Sequence, residues 1–169
     1  MDKNYKKIKP EEIHGNPFKM LGEDWMLITA GKKDKFNTMT AAWGGFGVLW
    51  HKTVAYIFIR PQRYTYHFTE ENDYFTLSFF PEEFRYMLEI CGNKSGKDVD
   101  KVKVTGLQPI ETELKNIAFK QANLIIECKK MYYDDLNPQN FLDSEIHKSY
   151  QLNDYHRVYV GEIINVWKK

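Results

Sequence analysis

The chain has 169 residues, of which 43% are hydrophobic and 15% aromatic, enough apolar mass for one compact domain over residues 1–169. Its 24 Lys and Arg residues nearly balance its 23 Asp and Glu residues, whereas a dedicated nucleic-acid binder would carry a basic face that neutralises phosphates. Two cysteines, Cys91 and Cys128, are too few for a disulfide framework or a thiolate metal site. Because no apolar run reaches about 18 residues and residues 1–10 are polar, we expect a soluble, cytoplasmic protein without a membrane span.

Apolar, β-branched and aromatic runs predict that strands predominate. The predicted strand regions are residues 25–30, 37–43, 53–60, 74–80, 118–133 and 157–166. The first two flank a polar, turn-like segment at residues 31–35 and therefore form a hairpin. In the last strand, Gly161 is expected at a bend or a bulge.

Helices are predicted between these strands. They are placed at residues 62–72, from residue 81 onward and at residues 143–150, with a turn at residues 91–96 and a short helix or an irregular segment at residues 98–104. Pro61 ends the preceding strand and suits the first turn of a helix. Glu82 and Glu83 follow Pro81, where the positive end of a helix dipole favours acidic side chains. Without strict strand–helix alternation, this order predicts a mainly β protein, a closed or nearly closed β-barrel with inserted helices.

Signatures of several catalytic chemistries are missing from the sequence. There is no P-loop, no G-x-G-x-x-G, no H-E-x-x-H and no G-x-S-x-G elbow. The glycine-rich segment at residues 44–47 fits neither nucleotide-binding fingerprint, and the five histidines are scattered. A chain that supplies no evident nucleophile or metal site fits a protein whose chemistry belongs to an organic cofactor.

Residues 37–44 combine small and hydroxylated side chains on a predicted strand. Such a strand lets backbone amides and carbonyls approach a flat ligand closely, as recognition of a flavin ring edge requires. The candidate residues are Asn37, Thr38, Met39, Thr40 and Ala41. The same composition also suits an ordinary edge strand with Trp43 in the core, because pockets use few polar groups among many apolar ones.

Arg60 and Arg63 flank the start of the helix predicted at residues 62–72. Helix N-terminal N–H groups and the helix dipole favour an anion there. Arginine binds phosphate in a bidentate manner, and Thr65 adds a hydroxyl donor. These residues predict a phosphate-sized site at the end of a strand. The alternative is that the arginines pair with acidic neighbours, such as Glu70 and Glu71, on the surface.

The polar loop that follows residue 91 is a third candidate. It contains Ser95, Gly96 and Lys97, and Lys101 lies shortly beyond it. Its amides and ammonium groups would meet an anion or the polar edge of a ring. The alternative is a solvated turn that stops a helix, which is the commoner role of such loops.

His156 is the fourth candidate, in the segment Asp154-Tyr155-His156-Arg157 that leads into the last strand. At the start of a strand, an imidazole would reach the mouth of a pocket. The alternative is a half-buried spacer, because a titratable side chain is functional only with a cleft and partners around it.

Taken in order, these segments resemble the flavin-reductase-like family with its FMN-binding split barrel, and within it the flavoredoxin-type branch. The matching segments are residues 37–44, 59–65, 75–80 and 95–98, Lys101, and His156 ahead of residues 160–162. The likeness spans about residues 20–167. The resemblance implies a six-stranded Greek-key barrel and a homodimer with FMN near the dimer interface. Some members of the family reduce free flavin with a nicotinamide donor.

The resemblance also implies residue roles. The flavin ring and ribityl chain would be lined by Thr38, Met39, Thr40 and Ala41. The phosphate would be held by Arg60, Arg63 and Thr65. The Ser95 loop would touch the flavin from its other side, and His156 would lie near the nicotinamide. Relatives often carry Ser or Thr and Pro around the first motif, where this chain has Ala41-Ala42-Trp43. Trp43 and Trp50 are therefore expected to fill space that a second substrate uses elsewhere.

Together these features predict a homodimeric FMN-binding flavoprotein, an oxidoreductase of flavin-reductase or flavoredoxin type. NADH or NADPH is the candidate donor, and a redox protein is a candidate partner. Neither nucleic acid nor membrane is expected as a partner. Two alternatives remain open: a non-catalytic protein that binds or stores FMN, and a pyridoxamine-phosphate-oxidase-like enzyme that uses the same phosphate site.

Overall fold

The computed structural model of the protein describes residues 1 and 3–169. The strands are β1 Lys6–Ile8, β2 Met26–Lys32, β3 Lys35–Ala41, β4 Gly44–Leu49, β5 Lys52–Ile59, β6 Tyr74–Phe79, β7 Pro109–Glu111, β8 Ile117–Phe119, β9 Leu124–Asp135 and β10 Arg157–Lys168. The α-helices are α1 Pro17–Gly22, α2 Tyr64–Glu71, α3 Arg85–Asn93 and α4 Lys101–Thr105, and 3₁₀ turns cover Pro10–Glu12, Glu82–Phe84, Pro138–Asn140 and Ser144–Ser149. No helix within the described residues is long and apolar enough to cross a membrane.

Every predicted strand region contains a strand, and the region at residues 118–133 divides into β8 and β9. The turn predicted at residues 91–96 is wrong in its first part, because α3 continues to Asn93 with the side chain of Cys91 buried. The helix predicted at residues 143–150 is a 3₁₀ turn. The sequence did not predict β4, whose glycines disfavour strands. Antiparallel pairing with β5 holds β4 in place from Gly44 to Leu49.

Eight strands of the described chain form one sheet, rather than the six that the resemblance implied. Along the sheet the strands follow the order β3-β2-β6-β9-β10-β5-β4, with β1 added to β10. The chain passes from β3 at one end to β4 at the other through only Ala42 and Trp43. Because consecutive Cα atoms are 3.8 Å apart, the Cα atoms of Ala41 and Gly44 are separated by at most about 11 Å. The sheet therefore curls until its end strands nearly meet, which makes it a barrel split between β3 and β4.

The interior of the barrel is a single apolar core that draws on both ends of the sheet. Met39 from β3 and Ile57 from β5 belong to the same buried cluster, and Phe46 from β4 packs against it. Gly161 lies at a shift in register between β10 and β9, as predicted. A Cβ atom there would lie 2.6 Å from Cζ of Phe75, so only glycine fits.

Helices flank β3 and so shape what lies beside it. Helix α2 packs against β2 and β3, with Phe68 buried in the core, and α3 packs on β2 and β3 as well. Leu88 and Cys91 of α3 bury their side chains in a second apolar cluster with Leu27 of β2. The end of β5, the start of α2 and the end of α3 are thereby placed around β3.

Candidate functional site

Three neighbouring cavities lie beside β3 and the segments packed around it, and together we call them the β3 trench. The first, of about 580 Å³, lies beside Asn37 and Thr38 at the start of the strand. The second, of about 160 Å³, lies beside Arg63 and Ser95, and the third, of about 190 Å³, lies at the strand's end. The third is lined by Met39, Thr40, Ala41, Ala42, Trp43, Phe58, Arg60, Arg63 and His156. Tyr64 and Lys101 border the first two cavities and Arg63 the last two, so neighbouring cavities share wall residues.

The trench collects the residues that the sequence singled out, with one exception. Its walls include Asn37, Thr38, Met39, Thr40, Ala41, Arg60, Arg63, Ser95, Gly96, Lys97, Lys101 and His156. The exception is Thr65, which is fully buried in α2 behind the wall. Its Oγ1 accepts a hydrogen bond of 2.8 Å from Nδ2 of Asn37. Thr65 therefore holds Asn37 in place at the edge of the trench.

The hydroxyl groups of β3 are turned toward protein neighbours. Oγ1 of Thr38 lies 2.9 Å from Oγ1 of Thr29 and donates to the carbonyl of Ile28 at 3.1 Å. The hydroxyl of Thr40 donates to the carbonyl of Leu88 in α3. Because these side chains are engaged, a ligand in the trench meets mainly the backbone and apolar surface of β3.

Arg60 leaves β5 at the mouth of the third cavity and is held by an ion pair. Its guanidinium donates to the carboxylate of Asp154 and, at 2.8 Å, to the carbonyl of Ser149. Although burial opposes ionisation of Asp154, hydrogen bonds from Arg60 and Gln62 lower the pKa of its carboxyl below the ordinary value. The positive charge of Arg60 at the wall of the trench is therefore balanced by the negative charge of Asp154.

Arg63 is different, because no ion pair joins it to an acidic residue in the part of the chain that the structure describes. Its only hydrogen bond there is a long one, 3.4 Å, from Nη2 to the carbonyl of Cys91. Burial lowers the pKa of Arg63, and the positive charge of Arg60 lowers it further. The alternative of acidic partners holds for Arg60 alone, which pairs with Asp154, because Glu70 and Glu71 pair with Arg157 and Lys35 respectively.

Lys101 ties three elements together beneath the trench. Its Nζ donates to the carbonyl of Thr38 at 2.7 Å and to that of Cys91 at 2.9 Å, which links α4 to β3 and α3. Burial lowers the pKa of Lys101 to about 8. Since an ammonium group has three N–H donors, one remains for a ligand.

His156 closes the far end of the trench, where its ring contacts Trp43 with centroids 4.9 Å apart. Its Nδ1 lies 2.8 Å from the hydroxyl of Tyr150. Burial lowers the pKa of His156 to about 4, and the charge of Arg60 acts in the same direction. The imidazole is therefore neutral at physiological pH.

Sequence reasoning missed Tyr150 and the role of Asp154. Both lie in the irregular segment between β9 and β10, and Arg60 is far away in sequence. Periodicity gives no signal for such contacts, since irregular segments have no repeating pattern. A polar cluster shortly before a candidate histidine was the only available hint.

Two other chemistries find no support in the site. Among the described residues, no group of three or more His, Cys, Asp or Glu side chains is placed to hold a metal ion. Burial raises the pKa of Cys91 to about 11, so its thiol stays protonated and a poor nucleophile at neutral pH. The second and third cavities of the trench are lined by basic side chains without an acidic one, whereas the first is also lined by Asp34, Asp98 and Asp100.

The family model of the flavin reductase like domain matches residues 21–169. The chain belongs to this family. Its sequence gives no significant match to a curated protein.

Several solved structures share the fold of this chain. The chain is similar to flavoredoxin from Methanosarcina acetivorans, with a TM-score of 0.67 and 24% identity over 86% of this chain and 68% of that one. It is also similar to an FMN-binding domain of a flavin reductases-like enzyme from Shewanella baltica OS155, with a TM-score of 0.71 and 16% identity over 99% and 78%. A third similar structure is an FMN-binding protein from Thermus thermophilus with bound 1-cyclohex-2-enone. Its TM-score is 0.67 and its identity is 18%, over 96% of this chain and 77% of that one. The mainly β, split-barrel class and the family resemblance predicted from the sequence are confirmed.

Proposed function

We propose that this flavin-reductase-like chain binds FMN in the β3 trench and acts as a flavin-dependent oxidoreductase. The observation that carries the proposal is Arg63, a half-buried cation that lines two cavities of the trench and has no acidic partner among the described residues. A buried charge is costly unless it is paired. An anionic ligand group beside Arg63 would provide the missing partner, and the phosphate of FMN is such a group.

The surroundings of Arg63 also fit the phosphate of FMN. Arg63 is the N-cap of α2, so a phosphate beside it also faces the first N–H groups of that helix. Arg60 lies next to it with N–H groups to spare, because a guanidinium has five donors. Guanidinium groups bind phosphate by charge-assisted hydrogen bonds, which are the strong ones.

The flavin ring would lie along β3, where Met39, Ala41 and Ala42 offer apolar and backbone surface. Across the second cavity, the Ser95 loop and Lys101 face the ring's other side. When bound, FMN supplies the hydride and electron chemistry. The protein's own residues bind and orient the ring and exclude water, and NADH or NADPH is the donor we propose.

We further propose that the active form is a homodimer. Large apolar side chains stand exposed at β4, an end strand of the sheet: Val48 in the strand is 73% exposed, and Trp50 in the turn that follows it is 52% exposed. Trp50 also contacts Tyr132 of β9 with ring centroids 6.2 Å apart, which extends the apolar surface. Such contiguous exposed patches mark interaction sites in soluble proteins. A second copy of the chain is the occupant that the family resemblance favours.

One observation favours a second candidate, a protein that binds FMN without efficient turnover. Trp43 is about half exposed and lies against His156 at the mouth of the third cavity. This cavity measures about 190 Å³, below the roughly 300–1,000 Å³ of typical ligand pockets. A flavin ring that fills it would leave a nicotinamide little room beside Trp43.

The deciding experiment is the absorbance spectrum of protein purified without added flavin, followed by titration with FMN. We expect a flavin spectrum, or tight binding of added FMN. A colourless protein that does not bind FMN would refute the proposal. Anaerobic addition of NADH or NADPH then separates the two candidates, because a reductase bleaches the flavin within its turnover time whereas a storage protein stays yellow.

A further inference from the structure

Tyr150 and His156 form a buried pair at the end of the β3 trench. Their exposed fractions are 4% and 7%, and the hydroxyl of Tyr150 lies 2.8 Å from Nδ1 of His156. Both belong to the segment that joins β9 to β10, and Tyr150 is anchored there by the carbonyl of His147, which accepts its backbone N–H at 2.9 Å. The pair is thus a fixed part of the wall.

The position of the shared proton follows from the contacts of the two side chains. Among the described residues, the hydrogen bond to Nδ1 is the only one that the Tyr150 hydroxyl makes. If Nδ1 carried the proton, the buried phenol O–H would have no acceptor, and an unsatisfied buried donor is costly. If the phenol donates to Nδ1, the imidazole carries its proton on Nε2. The second arrangement satisfies both groups.

The other ring nitrogen, Nε2, makes no hydrogen bond among the described residues and is not one of their buried, unpartnered polar atoms, so it keeps accessible surface on a side chain that lines the third cavity. The ring centroids of Trp43 and His156 lie 4.9 Å apart. Phe58 meets the imidazole edge-on, with ring centroids 6.4 Å apart. These aromatic contacts fix the plane of the imidazole. An N–H on Nε2 is therefore presented to whatever occupies the cavity.

We propose that Tyr150 is a positioning residue that fixes His156 as a neutral imidazole protonated on Nε2, so that His156 donates a hydrogen bond to an acceptor oxygen of the bound second substrate. The substrate class is accordingly a compound that presents a carbonyl or similar oxygen at this end of the trench. That last assignment rests on the proposed function, whereas the protonation of His156 does not.

The charged groups around the pair support a neutral ring. Arg60 lies over the ring of Tyr150 at 5.1 Å, and both Arg60 and Arg63 disfavour a second positive charge on His156. Asp154 acts in the opposite direction, but its carboxylate is engaged by Arg60 and Gln62. The donor N–H should therefore persist unchanged across neutral pH.

The test is ¹⁵N NMR of the histidine ring nitrogens, in protein without flavin, at several pH values from 5.5 to about 8. Protonated and unprotonated ring nitrogens have well-separated shifts, and the signals of His156 are assigned by their absence in His156→Gln. We expect Nε2 protonated, Nδ1 unprotonated, and no titration in this range. A ring that is protonated on Nδ1, or that titrates near pH 6.5, would overturn the inference.

Two variants separate positioning from simple packing. Tyr150→Phe keeps the ring but removes the hydroxyl, and should give a mixture of the two neutral tautomers at His156. Tyr155→Phe is the matched control, because Tyr155 packs on Tyr150 with centroids 4.8 Å apart while its hydroxyl contacts Asn153. The control should retain the wild-type ¹⁵N pattern. An unchanged pattern in Tyr150→Phe would show that the hydroxyl does not set the tautomer.

Kinetics test the same role in FMN-loaded protein. Tyr150→Phe should raise KM for the second substrate by about two- to tenfold, the loss expected from weakening one hydrogen bond, while Kd for FMN stays unchanged. An unchanged KM would overturn the positioning role. A protein that binds no FMN would refute the proposed function only, because the NMR result is obtained without flavin.

Discussion

Arg60 and Arg63 line the same cavity, but only Arg60 is neutralised by a carboxylate, that of Asp154. Arg63 has a single long contact to a carbonyl and no ion pair in the described chain. The two arginines are three residues apart and look equivalent in the sequence. Their surroundings make Arg63 the principal source of uncompensated positive charge at this end of the trench.

Arg63→Ala should therefore weaken FMN binding more than Arg60→Ala does. Charge-assisted hydrogen bonds contribute about 1.5–3 kcal/mol, so the loss at Arg63 should exceed about tenfold in Kd. Calorimetric or fluorescence titration measures it. Riboflavin, which lacks the phosphate, is the control and should bind both variants nearly as well as wild type. Equal effects of both substitutions on FMN would contradict this division of roles.

Lys101 should make the proposed binding of FMN depend on pH. Its ammonium donates to Thr38 and Cys91 carbonyls, and burial lowers its pKa to about 8. Below that pH the charge attracts the anionic ligand, and above it the charge is lost. We expect Kd for FMN to rise as the pH increases through about 8, and Lys101→Met to remove this step. A step that persists in the variant would assign it to another group.

The same lowered pKa has a consequence for stability, with the opposite sign. In the unfolded chain Lys101 keeps its proton up to about pH 10.4, whereas the folded protein releases it near pH 8. Between these two pH values the unfolded state therefore binds more protons than the folded state does. The contribution of Lys101 to the free energy of unfolding consequently rises with pH across that window. Urea unfolding of wild type and Lys101→Met at pH 7.5 and 9.5 should show the gain in wild type alone.

Gly96 is required by a close approach in the wall of the trench. A Cβ at this position would lie 2.0 Å from Oδ1 of Asn37, the side chain that donates to Thr65. Gly96→Ala should displace Asn37, with a loss of about 1–3 kcal/mol in the free energy of unfolding and weaker FMN binding. Gly22→Ala is the control, because nothing lies within 4 Å of its added Cβ. Equal stability of the two variants would show that the wall adapts.

The exposed surface along β4 should be covered in solution. Sedimentation at micromolar concentration should give about twice the 20.1 kDa mass of the chain. Val48→Glu places a charge in the proposed interface and should shift the protein toward the monomer. Val104→Glu is the matched control, because Val104 is 51% exposed on α4 and away from β4. A wild-type monomer that binds FMN tightly would remove the homodimer from the proposal.

The sequence by itself determined the local elements and the residue types of the site. Alternation and β-branched content predict β5 and β10, because strand geometry imposes a two-residue period on side-chain burial. The sequence did not predict β4, because its glycines disfavour strands. This strand forms through its antiparallel pairing with β5. The family segments located the arginines, the Ser95 loop and His156, and these residues line one trench.

Only the tertiary structure decided what each of those side chains does. Asp154, which lies 94 residues from Arg60, neutralises it, whereas Arg63 has no ion pair among the described residues. Lys101 reaches the carbonyl of Thr38 only because the chain folds back over 63 residues. Charge, protonation and availability for a ligand depend on which groups are buried together. The curled sheet brings these groups into contact, and no local pattern of residues encodes that contact.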